Sequence, residues 1–353
     1  MMKYIILTTA LFFIQVGPAN AGYFEKLRNI ESQRVNDLAA TRQALKDLSI
    51  YQKDFTQIET HLYWLLWAHS ELMNSNYSEA EKFLLGIIDS GASADYKGRA
   101  HSILAAGFHL QGQYYESYIH FDKALAMIPK MNDKEYKANI LQNAVSFYND
   151  SGLVAYAMDY ASRLLKYSIE NNDKSKQCHA YFDILNIEIS AKKYDLADDR
   201  LMVAYKTCRK AKNELFLLHL KNLESDIAIS RGKLSKAKQL LENNYKEVKT
   251  YGWATLISLT EIRLANLYFE VGQYNDSEKV AIKAFEASSK TGDTKRSKNA
   301  AEVLAKTYSK LNDKDKAIKY YQLYVKLEQK MNAISHKRKQ AYDNAKQVLR
   351  AKN

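Results

Sequence analysis

Helix breakers are scarce in this chain: its 353 residues carry two prolines and twelve glycines. Proline costs a helix interior about 3 kcal/mol and glycine about 1 kcal/mol, so this scarcity argues against a turn-rich β architecture. Cysteine is equally thin, with only Cys178 and Cys208. Two thiols cannot build a cysteine metal cluster. The eight histidines offer no pair at i, i+3 or i, i+4. His61/His69 and His101/His109 stand eight residues apart, too far for chelation on one helical turn. No phosphate-cradling glycine loop and no Gly-x-Ser-x-Gly elbow occur. The adjacent acids Asp198-Asp199 are ordinary helix-surface charges. The expectation is a protein that binds, with no catalytic residues, no cofactor and no metal.

Long apolar runs are missing except at the start. Lys3 precedes an apolar stretch from Tyr4 to Val16, broken only by Thr8, Thr9 and Gln15, and Ala19-Asn20-Ala21 follows. A positive residue, an apolar segment and a small-x-small triplet form a secretory signal peptide, here residues 1–21 with cleavage before Gly22. A membrane anchor would need roughly 20 apolar residues, and the stretch is shorter. No cysteine follows it, so a lipoprotein is not indicated. The expected location is periplasmic, with secretion as the alternative. The net charge of +12 would favour nucleic acid in the cytosol, but export argues against nucleic acid. Acidic ligands or plain solvated helix surfaces both fit the charge.

A chain this long exceeds the roughly 250–300 residues that share one core, which favours an elongated architecture or more than one domain. The clearest unit runs from Ile103 to Pro129, with Ala105, Phe108, Gly112, Tyr114, Phe121, Ala124 and Pro129 in order. That spacing resembles the tetratricopeptide pattern of small–aromatic–Gly–Tyr–Phe–Ala–Pro. Ala80, Ser117, Ala157, Ala197, Ala237, Ser277 and Ala317 recur at a first step of 37 residues and then five steps of 40. Tyr77, Tyr114, Tyr194 and Tyr274 stand three residues before them, and Gly112, Gly152, Gly232 and Gly272 fall in the turns. Small residues let two helices approach, the aromatic fills the space beside them, and glycine relaxes the turn. The fold class expected is all-α: a right-handed α-solenoid of about seven tetratricopeptide-like hairpins, with a long C-terminal helix.

The domain plan follows. Residues 22–60 form an N-terminal helical cap, built on Leu27, Ile30, Val35, Leu38, Leu45 and Leu48. Residues 61–325 are the repeat array, and 326–353 a C-terminal helix. Tyr320, Tyr324, Leu327, Met331, Ile334, Arg338, Ala341, Ala345 and Val348 step by four and three alternately, a heptad seam. It serves either a cap over the last repeat or a dimeric coiled coil.

On the repeat alignment Cys178 begins the first helix of a hairpin and Cys208 ends the second. Antiparallel helices bring those ends together, so a disulfide is expected in an oxidising compartment; two free buried thiols are the alternative. In a solenoid the first helix of each hairpin lines the concave surface. Three columns then face the groove: Ser146, Asn186, Asp226 and Asn266; Gln142, Phe182, Asn222 and Ile262; Asn139, His179, His219 and Leu259. Amide side chains there can clamp a peptide backbone or a polar ligand. Arg99 and Lys306 are expected to flank the groove with positive charge.

Ser146-Phe147-Tyr148-Asn149-Asp150-Ser151-Gly152 with Ala157 and Ala161, Cys178 and Cys208 thirty residues apart, and Val248 with Tyr251-Gly252 resemble a narrower group. They are similar to the periplasmic tetratricopeptide sensor domains of gammaproteobacterial membrane-bound diguanylate cyclases, over residues 55–330. The resemblance implies a free-standing periplasmic sensor or adaptor, because no membrane helix and no cyclase domain follow. The expected partner is a protein, in particular a membrane-bound signalling or envelope protein. A small polar or anionic ligand in the same groove is the alternative.

Overall fold

The computed structural model describes residues 22–34 and 37–351; the signal-peptide expectation for residues 1–21 and the cap residue Val35 lie outside them. Among the described residues there are sixteen α-helices and no strand. They are α1 (Tyr23–Gln33), α2 (Leu38–Ser49), α3 (Gln57–Met73), α4 (Tyr77–Asp89), α5 (Ala94–Leu110), α6 (Tyr114–Met127), α7 (Lys134–Asp150), α8 (Val154–Glu170), α9 (Lys174–Ser190) and α10 (Tyr194–Lys210). Then follow α11 (Glu214–Ser230), α12 (Leu234–Tyr251), α13 (Ala254–Glu270), α14 (Tyr274–Lys290), α15 (Thr294–Lys310) and α16 (Lys314–Ala351). Seven hairpins, α3/α4 to α15/α16, follow the pair α1 and α2, which packs on α3.

The turns explain the long period. From Lys134 onward a helix begins every twenty residues, so the turn inside a hairpin and the turn between hairpins have the same length, except that α12 runs one residue further before α13. Each puts one residue in the left-handed region: Gly152 at φ 73°, Asn172 at 53°, Lys192 at 58° and Lys212 at 52° are four in succession. The backbone N–H of Leu153 then donates to Tyr148 O at 2.8 Å, and that of Lys193 to Glu188 O at 2.8 Å. These are the bonds that close a helix end on a left-handed residue. Glycine is the ordinary choice there, so the lysines at 192 and 212 hide two of the turns from sequence.

The helix starts from α7 on alternate, except that α13 starts at Trp253 without a side-chain cap. Asp133, Asp173, Asn213 and Asp293 cap α7, α9, α11 and α15 by accepting from backbone N–H groups with their side chains. Such a cap contributes about 1 kcal/mol. Leu153, Lys193, Lys233 and Gln273 start the second helices with no side-chain cap; those helices depend on packing instead. Ala80, Ser117, Ala157, Ala197, Ala237 and Ser277 are all buried at the hairpin contact. Where serine replaces alanine, its hydroxyl donates to the facing helix: Ser117 Oγ to Ala105 O at 2.7 Å and Ser277 Oγ to Ala265 O at 2.8 Å.

Successive odd-numbered helices from α3 to α15 pack on one another, whereas no comparable contact joins one even-numbered helix to the next. The odd helices therefore form the inner, concave wall. The N-terminal pair is tied in by a buried ionic contact: Glu31 of α1 accepts from Arg99 of α5 and from Tyr136 Oη of α7. The Arg99 guanidinium also lies 4.2 Å from the Tyr136 ring centroid.

The last helix has 38 residues and a length of roughly 57 Å at 1.5 Å per residue. It leaves the seventh hairpin and reaches back to the second and third. Ala345 is buried in one cluster with Tyr118, Phe121, Tyr148 and Ala157. Tyr342 packs on Tyr118 with centroids 5.2 Å apart, and Arg338 donates to Asp150 O at 2.6 Å. The C-terminal half of the seam is spent inside the chain, far from the last repeat.

Candidate functional site

The concave wall carries a ladder of rings. His179 and Phe182 of α9 meet Phe216 of α11 at centroid distances of 4.6 and 5.1 Å. Phe182 meets His219 at 4.9 Å, and His219 meets Trp253, the residue before α13, at 5.8 Å. Aromatic pairs at such distances contribute beyond their buried area. Burial pushes both imidazoles down to about 4, so they are neutral rings near pH 7. Trp253 is 42% exposed and ends the ladder at the surface.

The expected groove residues divide. Ser146 and Asn266 are exposed, and Asn139, Gln142, His179, Phe182, Asn186 and Asp226 are half-buried. Asn139 and Gln142 are not free: Lys176 Nζ of the next inner helix donates to both, at 2.6 and 2.8 Å. Asp226 accepts from Arg263 Nε and Nη2 at 2.9 Å each. Asn266 donates to Ile262 O in its own helix at 3.0 Å. Asn222 is a correction. It is 1% exposed, donates to Thr260 Oγ1 at 2.8 Å and accepts from Asn244 Nδ2 at 2.9 Å. Its side chain satisfies buried polar groups between α11, α12 and α13, so it does not face the groove. Ile262 is buried as well. Arg99 is a second correction: its charge is taken up by Glu31, which leaves nothing to flank a groove. Lys306 is exposed and pairs with Glu302 at 2.6 Å.

Two cavities open along the inner helices. One, of about 400 Å³, lies over α3, α5 and α7 and is lined by His69, His109, Asn143, Ser146, Phe147 and Asp150 among others. The other, of about 750 Å³, lies between α13, α15 and α16 beside Phe269, Lys306, Ile318, Tyr321 and Tyr324. Four participants escaped the sequence columns: Asp183, Phe216, Trp253 and Arg263. The signal for two of them was present. Residues 143, 183, 223 and 263 lie four after one column and three before another, so they share its helix face. Phe216 and Trp253 sit at helix starts, outside the columns chosen. Histidines also meet across helices rather than along one: His101 Nδ1 and His120 Nδ1 are 3.0 Å apart. Among the described residues no group of three or more His, Cys, Asp or Glu could hold a metal ion.

The disulfide is formed. Cys178 Sγ and Cys208 Sγ are 2.09 Å apart and join α9 to α10, buried against Ala197, Leu201 and Leu220. No helix among the described residues is long and apolar enough to cross a membrane.

Stacked inner helices, small-residue contacts and paired turns define an α-solenoid of the tetratricopeptide type. Residues 256–329 match the model of the tetratricopeptide repeat family. No curated protein matches the chain. Among solved structures it is similar to the complex of NprR with its cognate peptide NprX, at 14% identity over 95% of this chain and 98% of that one, with a TM-score of 0.60. It is similar to a Rap protein complexed with competence and sporulation factor, at 12% identity, 88% and 98% coverage and a TM-score of 0.61. Aspartyl phosphate phosphatase F from Bacillus subtilis gives 14% identity, 87% and 80% coverage and a TM-score of 0.62. At such identities the likeness is one of fold.

Proposed function

We propose that this protein is a non-catalytic periplasmic interaction module that holds an extended segment of a protein partner along its concave wall. The observation that carries this reading is the ring ladder from His179 to Trp253, which runs from α9 across α11 to the start of α13. Rings offer a peptide apolar area at low entropy cost, and neighbouring amides such as Asn186 supply backbone hydrogen bonds. Two similar folds are described with a bound peptide or factor, NprX and competence and sporulation factor, which supports the use of such a fold for a peptide. The signal-like first 21 residues and the disulfide support export. The resemblance to cyclase sensor domains favours a membrane-bound signalling or envelope protein as the partner.

A second reading, a small polar or anionic ligand, draws on the cavity beside His69, Asn143 and Ser146, whose volume suits such a molecule. The test is affinity capture from envelope fractions with the wild type, Phe216→Ala and Asn186→Ala. A partner retained by the wild type and lost at least tenfold in Phe216→Ala, with the melting curve otherwise intact, supports the peptide reading. Equal recovery on all three proteins overturns it. Thermal stabilisation by a small molecule with no protein captured favours the second reading.

A further inference from the structure

Asp183 lies in the middle of α9, beside Phe182 and one helical turn after His179. Its Oδ2 is buried and accepts no hydrogen bond. His179 Nε2 stands 3.6 Å from that oxygen, and this imidazole is held neutral by burial. Burial pushes the Asp183 carboxyl up to about 8. Two cations of the same wall are already engaged: Lys176 with Asn139 and Gln142, and Arg263 with Asp226.

Packing does not require an acid here. Forty residues on, the equivalent position of α11 is Leu223, buried at 2% exposure. A buried acceptor without a partner is a cost that an apolar side chain avoids. The carboxylate becomes favourable once a cation reaches it.

Resting on the groove reading above, we propose that Asp183, one turn after His179 on the inner helix α9, is the subsite for a lysine or arginine side chain of the bound peptide. The ammonium or guanidinium supplies the missing donors to the buried oxygen. No atom is transferred except the proton that the carboxyl gives up to solvent.

The experiment uses the full mature chain and a positional-scanning library of N-acetylated, C-amidated hexapeptides. The wild type is expected to select Lys or Arg at one position by at least tenfold over Gln and Glu. Asp183→Asn is expected to lose that selection while keeping the preferences that depend on Phe216. Without peptide, Asp183→Asn should leave the melting temperature unchanged or raise it by a few degrees, because the amide ends the burial of an ionisable group. Peptides retained with no basic preference, or a lowered melting temperature in Asp183→Asn, overturn the subsite and leave the groove standing. No peptide retained by the wild type overturns the groove and the subsite together. Competition by spermidine as strong as by the selected peptide overturns the assignment to a peptide side chain.

Discussion

The helices from α9 to α15 and those from α1 to α6 follow one topology but are held differently. From α9 to α15 every helix start falls twenty residues after the last. Contacts there are mostly between neighbours, and the disulfide joins two consecutive helices. The earlier helices start at Tyr23, Leu38, Gln57, Tyr77, Ala94 and Tyr114, at intervals of 15, 19, 20, 17 and 20 residues. They are tied by contacts with no period: Glu31 to Arg99 and Tyr136, and α16 against α6. The family match, residues 256–329, begins in the regular part and runs on into the start of α16. Local rules thus build the second region, and singular long-range contacts build the first.

The sharpest way to break this contrast is Glu31→Ala. It leaves Arg99 buried without its carboxylate, and removing one partner of a buried pair costs about 3–5 kcal/mol. Hydrogen exchange should show α1, α5 and α7 opening first while α11 to α14 keep their protection; uniform loss of protection would erase the distinction. Replacing both cysteines with serine comes next. The closed loop has a sequence separation of 30, which in the chain-entropy model contributes roughly 3–4 kcal/mol. Denaturant unfolding should place the loss around α9 and α10, leaving the Arg99 contact intact.

The smallest effect is a step from pH 7 to pH 6. Burial pushes His69, His101, His109 and His120 down to about 4 from an ordinary 6.5. The unfolded chain takes up protons that the folded one refuses. The stability from neutral imidazoles is therefore present above pH 6.5 and is lost as pH falls toward 4. Four such histidines lie in α3, α5 and α6, against His179 and His219 in α9 and α11. Exchange at the two pH values should show the N-terminal helices losing protection faster; an equal loss would count against the uneven distribution of burial.

Much of the fold was legible because repetition amplifies weak signals. No single alanine predicts a hairpin, but seven small residues in register do. The disulfide was legible for the same reason, since the alignment placed Cys178 and Cys208 at adjacent helix ends. The groove was less so. A column of outward positions shows which face a residue takes but not what its neighbour forty residues on does with it. Asn222 is drawn inside by Thr260 and Asn244, and Arg99 is claimed by an acid 68 residues earlier. Lys192 and Lys212 adopt a left-handed backbone that favours glycine by about 1 kcal/mol or more, and nothing in their chemistry announces it. The seam in α16 was visible as a pattern, whereas its target lay almost 190 residues upstream.

That last contact changes the statistics of unfolding. An open stack behaves as a one-dimensional array whose ends fray independently. Here α16 draws a chord across the arc, so the terminal hairpin cannot detach without also stripping Ala345 and Tyr342 from α6 and α8. Contacts of such sequence separation raise the contact order and slow folding. The protein should fold more slowly than an unlatched array of equal length, and melt with fewer partly unravelled states.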